Sequence, residues 1–241
     1  MRSLPILAGL VALIAAAPVG AQEIAYETLE PEITLSTGGE RSIPSYGTTS
    51  FGGAPVSASY LHSMANYGPF RVLDKDRAAL VGSTDLGSPA QFAAMLRAFP
   101  GIRVLELVEC PGTHDDLANL RLGRMIREHG IATSVPRGGS VRSGAVELFL
   151  AGSRRYVEPG AEFAVHSWLD IDGNEPGDLD PQAPANRRYL DYYHQMGMSP
   201  IEAEAFYAMT NSVPFESARW FGAGVMGLWV KLDEGESRSA G

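Results

Sequence analysis

From residue 78 to residue 166 the chain alternates short apolar runs with amphipathic stretches of helical length, and this alternation narrows the possible folds more than any other feature. AALVGS (78–83), RVLELVE (103–109) and IATSV (131–135) read as buried strands, and RRYV (154–157) and EFAVH (162–166) as shorter ones. Between them, Ser88 caps a helix that has Pro89 at its first position and ends at Pro100-Gly101. Thr113, with Asp116 three residues on, caps a second helix that runs to about His129 and stops at Gly130. Gly138-Gly139 makes a loop, and residues 143–151 have the propensity and length of a third helix. Helices over about 185–196 and 200–209 follow, the latter opened by the capping box Ser199-Pro200-Ile201-Glu202. A short helix at 215–221 and a strand at 228–232 close the pattern. Strand–helix alternation predicts an α/β fold with a mainly parallel sheet, whose chemistry sits at the carboxyl ends of strands. Two such ends stand out, Cys110-Pro111-Gly112-Thr113 and Gly138-Gly139-Ser140-Val141-Arg142-Ser143.

The flanks differ from this domain, which spans 68–232. Residues 1–21 carry Arg2, an apolar run from Leu4 to Ala17, and small residues before Gln22, the pattern of a secretory signal. The run falls short of the ~20 residues that span a bilayer. Residues 22–67 are largely Gly-, Ser-, Thr- and Pro-rich without a sustained period and predict a loosely ordered extension, and 233–241 form a polar tail. Export, with the bacterial periplasm as its natural destination, is the expectation, with no membrane association once the signal is cleaved. The net charge of −9, from 19 Lys+Arg against 28 Asp+Glu, argues against nucleic acid or an anionic membrane as partner. The single cysteine, Cys110, forms no internal disulfide or multi-cysteine metal site. The acidic stretch 170–180 fails the EF-hand pattern, with Glu175 where glycine is needed. No phosphate-binding glycine motif occurs, so neither a cofactor nor a metal is expected.

Two residues carry a possible chemistry. Ser143 follows a glycine-containing loop and opens a helix, where nearby backbone N–H groups can stabilise developing negative charge. Serine needs a base, and the alternative is that Ser143 only caps the helix. His166 ends the apolar run Phe163-Ala164-Val165, 23 residues on. One helix and one returning strand would bring it back to the same sheet edge as Ser143. The alternative for His166 is a strand-end imidazole bonded to a carbonyl. His114, beside Gly112-Thr113, reads either as a contact near the pocket mouth that could pair with Asp115 or as a solvated helix residue.

The stretch GGSVRSGAVELFLAGSRRYVEPGAEFAVHSW (138–168) resembles the core of the Clp protease proteolytic-subunit family, and more closely its exported Clp-like bacterial relatives. Ser143, Ala151-Gly152, Arg155-Tyr156, Pro159-Gly160 and His166 fill the places of nucleophile, helix end, basic-aromatic strand, turn and catalytic histidine in order. LELVECPGT (105–113) resembles the strand leading into the oxyanion loop, with Gly112 at the matching position. ALVGSTDLGSPAQF and FESARWFGAG extend the likeness to roughly 75–232. The resemblance implies a crotonase-like spiral of ββα units, a homo-oligomer, and a serine peptidase acting on peptides or unfolded polypeptide. In it Ser143 attacks, His166 shuttles the proton, and the Gly112 and Gly144 N–H groups hold the oxyanion.

Three departures qualify it. Thr113 stands where the family has a second glycine. Arg142 precedes the nucleophile where a small residue is usual; it either binds a substrate carboxylate or extends into water. The family's orienting Asp falls near Thr210, with Asn211 adjacent, and no carboxylate lies between Glu204 and Glu216. This leaves a Ser–His dyad, a Ser–His–Asn211 arrangement, or an acid supplied by the 170–180 loop or Asp191. It also keeps a non-catalytic binding protein on the same scaffold as the alternative, with acyl-CoA chemistry a third.

Overall fold

The computed structural model describes Tyr60 and residues 62–234. The leader expected at 1–21, most of the 22–67 stretch and the end of the tail lie outside the described residues. β1 (Ala65–Tyr67), within the sequence read as extension, β2 (Phe70–Val72) and β3 (Arg77–Val81) form an antiparallel meander. After α1 (Ser88–Ala98) the chain enters β4 (Val104–Cys110), parallel to β3. β4 forks the sheet. Val104–Glu106 pair with β5 (Ala132–Val135), whereas Glu109 and Cys110 pair with β6 (Ser140–Arg142). One branch continues from β5 to β7 (Arg155–Val157). The other runs from β6 to β8 (Glu162–Val165) and ends in the antiparallel edge strand β9 (Arg219–Gly222). Five of the eight pairings are parallel, so the central sheet is mainly parallel, as the alternation predicts.

The remaining helices are α2 (Asp116–Glu128), α3 (Ala145–Leu150), α4 (Pro184–Gln195), α5 (Pro200–Thr210) and α6 (Ala223–Trp229). Every residue of α3 is buried, and its Phe149 ring lies 4.9 Å from Phe163 of β8. Arg155 donates through Nε to Leu150 O (2.9 Å), and Arg127 donates to Gly152 O (3.0 Å). Two guanidinium groups thus satisfy the carbonyls at the end of this buried helix and complement its dipole. None of the helices is long and apolar enough to cross a membrane, among the described residues.

Several local expectations change. Asp115, not Thr113, caps α2, accepting from Ala118 N at 2.8 Å, because the Thr113 hydroxyl instead accepts from Asp115 N and tightens the preceding turn. Gly87 holds the cap position of α1, while Ser88 lies inside the helix and bonds Asp85. The glycine loop contains β6, and the third helix starts two residues later than expected, at Ala145. At the carboxyl end the order reverses. Residues 219–222 are a strand because Phe221 stacks on Phe163 (5.7 Å, 15°), and the helix comes after it, over Ala223–Trp229. The capping box at Ser199 forms as read, with Ser199 N donating to Glu202 Oε2 at 2.7 Å.

Candidate active site

Ser143 leaves β6 at its carboxyl end. Its N–H donates to Ala164 O (2.9 Å), which extends the β6–β8 ladder by one bond, and its carbonyl accepts from Val146 N (2.9 Å), which starts α3. Satisfying both elements within one residue forces φ to +49°, the only positive φ on a non-glycine residue among those described. Such a conformation costs about 1–2 kcal/mol for an L-residue and collects at functional sites. A serine held on a sharp strand-to-helix turn is also how nucleophile elbows expose a hydroxyl. Ser143 Oγ makes no hydrogen bond among the described residues.

Gly112 sits against this turn. Its φ is +131°, and a Cβ there would lie 3.0 Å from Ser143 Cβ and 3.3 Å from Oγ. Both the dihedral and the space demand glycine. Across the turn, a Cβ on Gly144 would meet Thr113 Cγ2 at 2.6 Å. The N–H groups of Gly112, Thr113 and Gly144 donate to no described residue, so three backbone donors surround the serine unspent. The Thr113 substitution leaves the loop intact, since Thr84 N donates to Gly112 O (3.0 Å) and His114 N to Thr84 O (2.8 Å). Asn119, buried in α2, locks the other side by donating to Gly144 O (2.6 Å) and accepting from Thr84 Oγ1 (2.9 Å).

His166 follows β8 and lines the same cavity as Ser143 and Gly144. Its Nδ1 lies 2.8 Å from Ser167 O. A carbonyl only accepts, so Nδ1 carries the proton and Nε2 keeps its lone pair, the tautomer a general base requires. Phe215 packs edge-on at 5.1 Å. Burial lowers the His166 pKa below the ordinary value, opposed by the Ser167 carbonyl and by the Asp116 and Glu175 charges. No hydrogen bond joins Ser143 to His166; the loose arrangement is common in sites without substrate.

Asn211 lines the cavity but does not bond the imidazole. It ends α5, and its amide donates to Tyr207 O (2.7 Å) and Thr210 Oγ1 (3.2 Å), because the last turn of the helix needs donors for its carbonyls. Asp191 lies on the exposed side of α4, 4.0 Å from Arg187. No aspartate of the 170–180 loop lines the cavity, and Glu175 from that loop accepts from Phe215 N at 2.8 Å. Arg142 does not extend into water. It is 7% exposed and donates to Glu109 Oε1 (2.5 Å) and Ser140 Oγ (2.7 Å), tying the tips of β4 and β6 together directly beneath the serine. His114 is exposed at the start of the α2 turn.

Two carboxylates escape the sequence reading. Asp116, in the first turn of α2, lines the cavity, and burial raises its pKa, opposed by Tyr189, Arg188 and His166. Glu147, one helical turn after Ser143, is 7% exposed and accepts from Tyr193 Oη at 2.8 Å. Burial pushes its carboxyl up to about 7. Glu147 had a visible signal, as the lone charge in the apolar run AVELFL; Asp116 had none beyond helix-start acidity. Among the described residues, no three His, Cys, Asp or Glu side chains converge as a metal site.

No protein-family model matches the chain, and no curated protein matches it in sequence. Solved structures of similar shape include the membrane-bound stomatin-specific protease 1510-N. A mutant of that protease in complex with a substrate peptide is 12% identical, with a TM-score of 0.44, over 64% of this chain and 72% of that one. A second mutant of the same protease is 12% identical, with a TM-score of 0.45, over 65% and 76%.

Proposed function

We propose that the chain is an exported, Clp-like serine hydrolase that cleaves peptide bonds on a crotonase-like scaffold. The observation that carries this reading is the strained Ser143 turn, set among the unspent Gly112, Thr113 and Gly144 N–H groups and opening on the cavity that His166 also lines. Ser143 Oγ attacks the scissile carbonyl while His166 Nε2 takes its proton. The negative charge that develops on the carbonyl oxygen falls to the Gly112 and Gly144 N–H groups, with Thr113 N–H as a third donor. His166 then returns the proton to the leaving amine, and water repeats the cycle on the acyl-serine. The Ser167 carbonyl fixes the tautomer in place of the family's aspartate, and Asp116 supplies negative charge that favours the imidazolium formed in the transition state. A carbonyl orients but carries no full charge, so turnover is expected to be slow beside a full triad. The leader pattern at 1–21 supports export, and peptides or unfolded segments are then the accessible substrates. Self-association is part of the same reading.

A fluorophosphonate probe tests it on wild type, Ser143→Ala and His166→Ala. Labelling is expected in wild type, absent in Ser143→Ala and slowed at least about a hundredfold in His166→Ala. The absent Ser143–His166 hydrogen bond favours a second reading, a binding protein on this scaffold. No labelling and no peptide turnover by wild type would select it.

A further inference from the structure

The cavity behind Ser143 is built for more than a generic peptide. We propose that it is a specificity pocket for a primary ammonium, the end of a lysine side chain next to the scissile bond, with Glu147 and Asp116 as counter-charges and Trp168, Tyr189, Tyr193 and Tyr207 as walls. This rests on the hydrolase reading for its position relative to the bond cleaved, but the binding chemistry stands on the cavity itself.

The lining holds two carboxylates and no lysine or arginine. Its aromatic side is organised. Trp168 and Tyr189 stack at 6.3 Å and 9°, Tyr189 and Tyr207 at 5.9 Å and 28°, and Trp168 Nε1 donates to Tyr207 Oη at 2.7 Å. Tyr207 Oη in turn donates to the buried Asn186 (2.7 Å), so the wall is braced from behind. Ring faces attract an ammonium by about 0.5–2 kcal/mol, most where water is excluded. Glu147 is more than nine-tenths buried and lines the cavity, its carboxylate held by Tyr193 Oη at Oε1 and by its own backbone N–H. A carboxylate there suits a three-donor head group. The cavity of about 40 Å³ has room for roughly three water-sized groups, enough for the end of a long side chain. An arriving ammonium ionises Glu147, and the proton leaves to solvent. The groups facing Glu147 are Tyr189, Tyr192 and Tyr193 of α4, Tyr207 of α5 and Asp116 of α2, with Tyr192 Oη donating to the Glu147 backbone carbonyl and Arg188 acting on Asp116 from outside the lining.

Calorimetry on the Ser143→Ala protein separates binding from turnover. The probes are Nα-acetyl-lysine amide, its arginine counterpart, and the neutral Nα-acetyl-norleucine amide. The lysine amide is expected to bind at least about tenfold tighter than either. Glu147→Gln is expected to erase at least about tenfold of that preference and Asp116→Asn a smaller part. Equal binding of lysine and norleucine amides, absence of binding by all three, or a lysine preference untouched by both carboxamide variants overturns the pocket. A wild type that labels with fluorophosphonate but ignores lysine keeps the hydrolase and loses the pocket. Lysine binding in a protein that never labels keeps the pocket and loses the hydrolase.

Discussion

Replacing Glu147 by glutamine tests the cost of burying one carboxyl. In the folded chain burial pushes Glu147 from 4.5 up to about 7, while the unfolded chain titrates at the lower value. The unfolded state therefore loses its proton first. Stability is fully present below about pH 4.5, declines as pH rises through the interval, and levels off above about pH 7. At 1.36 kcal/mol per unit, a difference of about 2.5 units makes the wild-type protein about 3 kcal/mol less stable on the alkaline plateau than on the acid one. Glu147→Gln keeps the shape and an oxygen for the Tyr193 hydroxyl, and it does not titrate. The two proteins should be nearly equal in stability at about pH 4.5, and the variant should lead by about 3 kcal/mol at about pH 8.5. Urea unfolding at both pH values gives the difference, read from midpoints at a shared m-value. A gap that does not change between the two pH values, or a variant that is the weaker protein in alkali, refutes the reasoning. The Asp116 charge raises the Glu147 pKa, so the measured difference includes that interaction as well as the burial of the Glu147 carboxyl.

Other consequences concern the turn and the base. Gly112→Ala places a Cβ 3.0 Å from Ser143 Cβ at φ +131°; a loss of about 1–3 kcal/mol in thermal unfolding and at least about a hundredfold slower fluorophosphonate labelling are expected. Glu109→Gln removes the carboxylate from a guanidinium that is 7% exposed; leaving that charge unpaired should cost about 3 kcal/mol in urea unfolding, with labelling slowed because β6 loses its tie to β4. Burial holds His166 below 6.5, so the acid limb of kcat/KM should fall below that pH, and folding stability should decline as pH drops from 6.5 through the lowered value. Asp116→Asn takes away a charge that favours the imidazolium and should move that limb further toward acid, whereas a purely structural effect would lower kcat/KM without displacing the limb.

Elements whose residues agree locally with their environment were legible in the sequence. The apolar run at β4, the Ser199 capping box and the proline-led starts of α1 and α5 all carry their own instructions. β6 was not legible, because a three-residue strand ending in arginine looks like loop until Glu109, 33 positions earlier, is brought beside it. Arg219–Gly222 and Ala223–Trp229 exchanged types for a similar reason: the Phe221–Phe163 stack is a long-range contact that local propensity does not encode. At the site, a helix start after a glycine loop and a strand end singled out Ser143 and His166, Gly112 and Gly144 came only through the family resemblance, and Ser143, Gly144 and His166 line one cavity. Asp115 and Asp116 were not separable, because adjacent acids at a helix start look alike. Only the helix phase sends the first to the cap and the second to the cavity.

The same physics links the strain and the buried acid. The turn at Ser143 is held in place by what lies behind it: α3 buried along its whole length, the Arg142–Glu109 pair beneath, and Asn119 gripping Gly144. Glu147 sits in the first turn of α3, where negative charge complements the helix dipole, but at 7% exposure its carboxyl carries a desolvation cost that a leucine or methionine would not. Glu147 is accompanied by Tyr193, Asp116 and a stacked aromatic wall along the cavity it lines, an arrangement that weakens the fold above neutral pH. Stability set aside at a defined position beside a strained serine turn is characteristic of a site kept for binding. The variant expected to be the more stable protein, Glu147→Gln, is accordingly the one expected to bind lysine worst, and a single substitution moving those two measurements in opposite directions separates a functional carboxyl from a merely tolerated one.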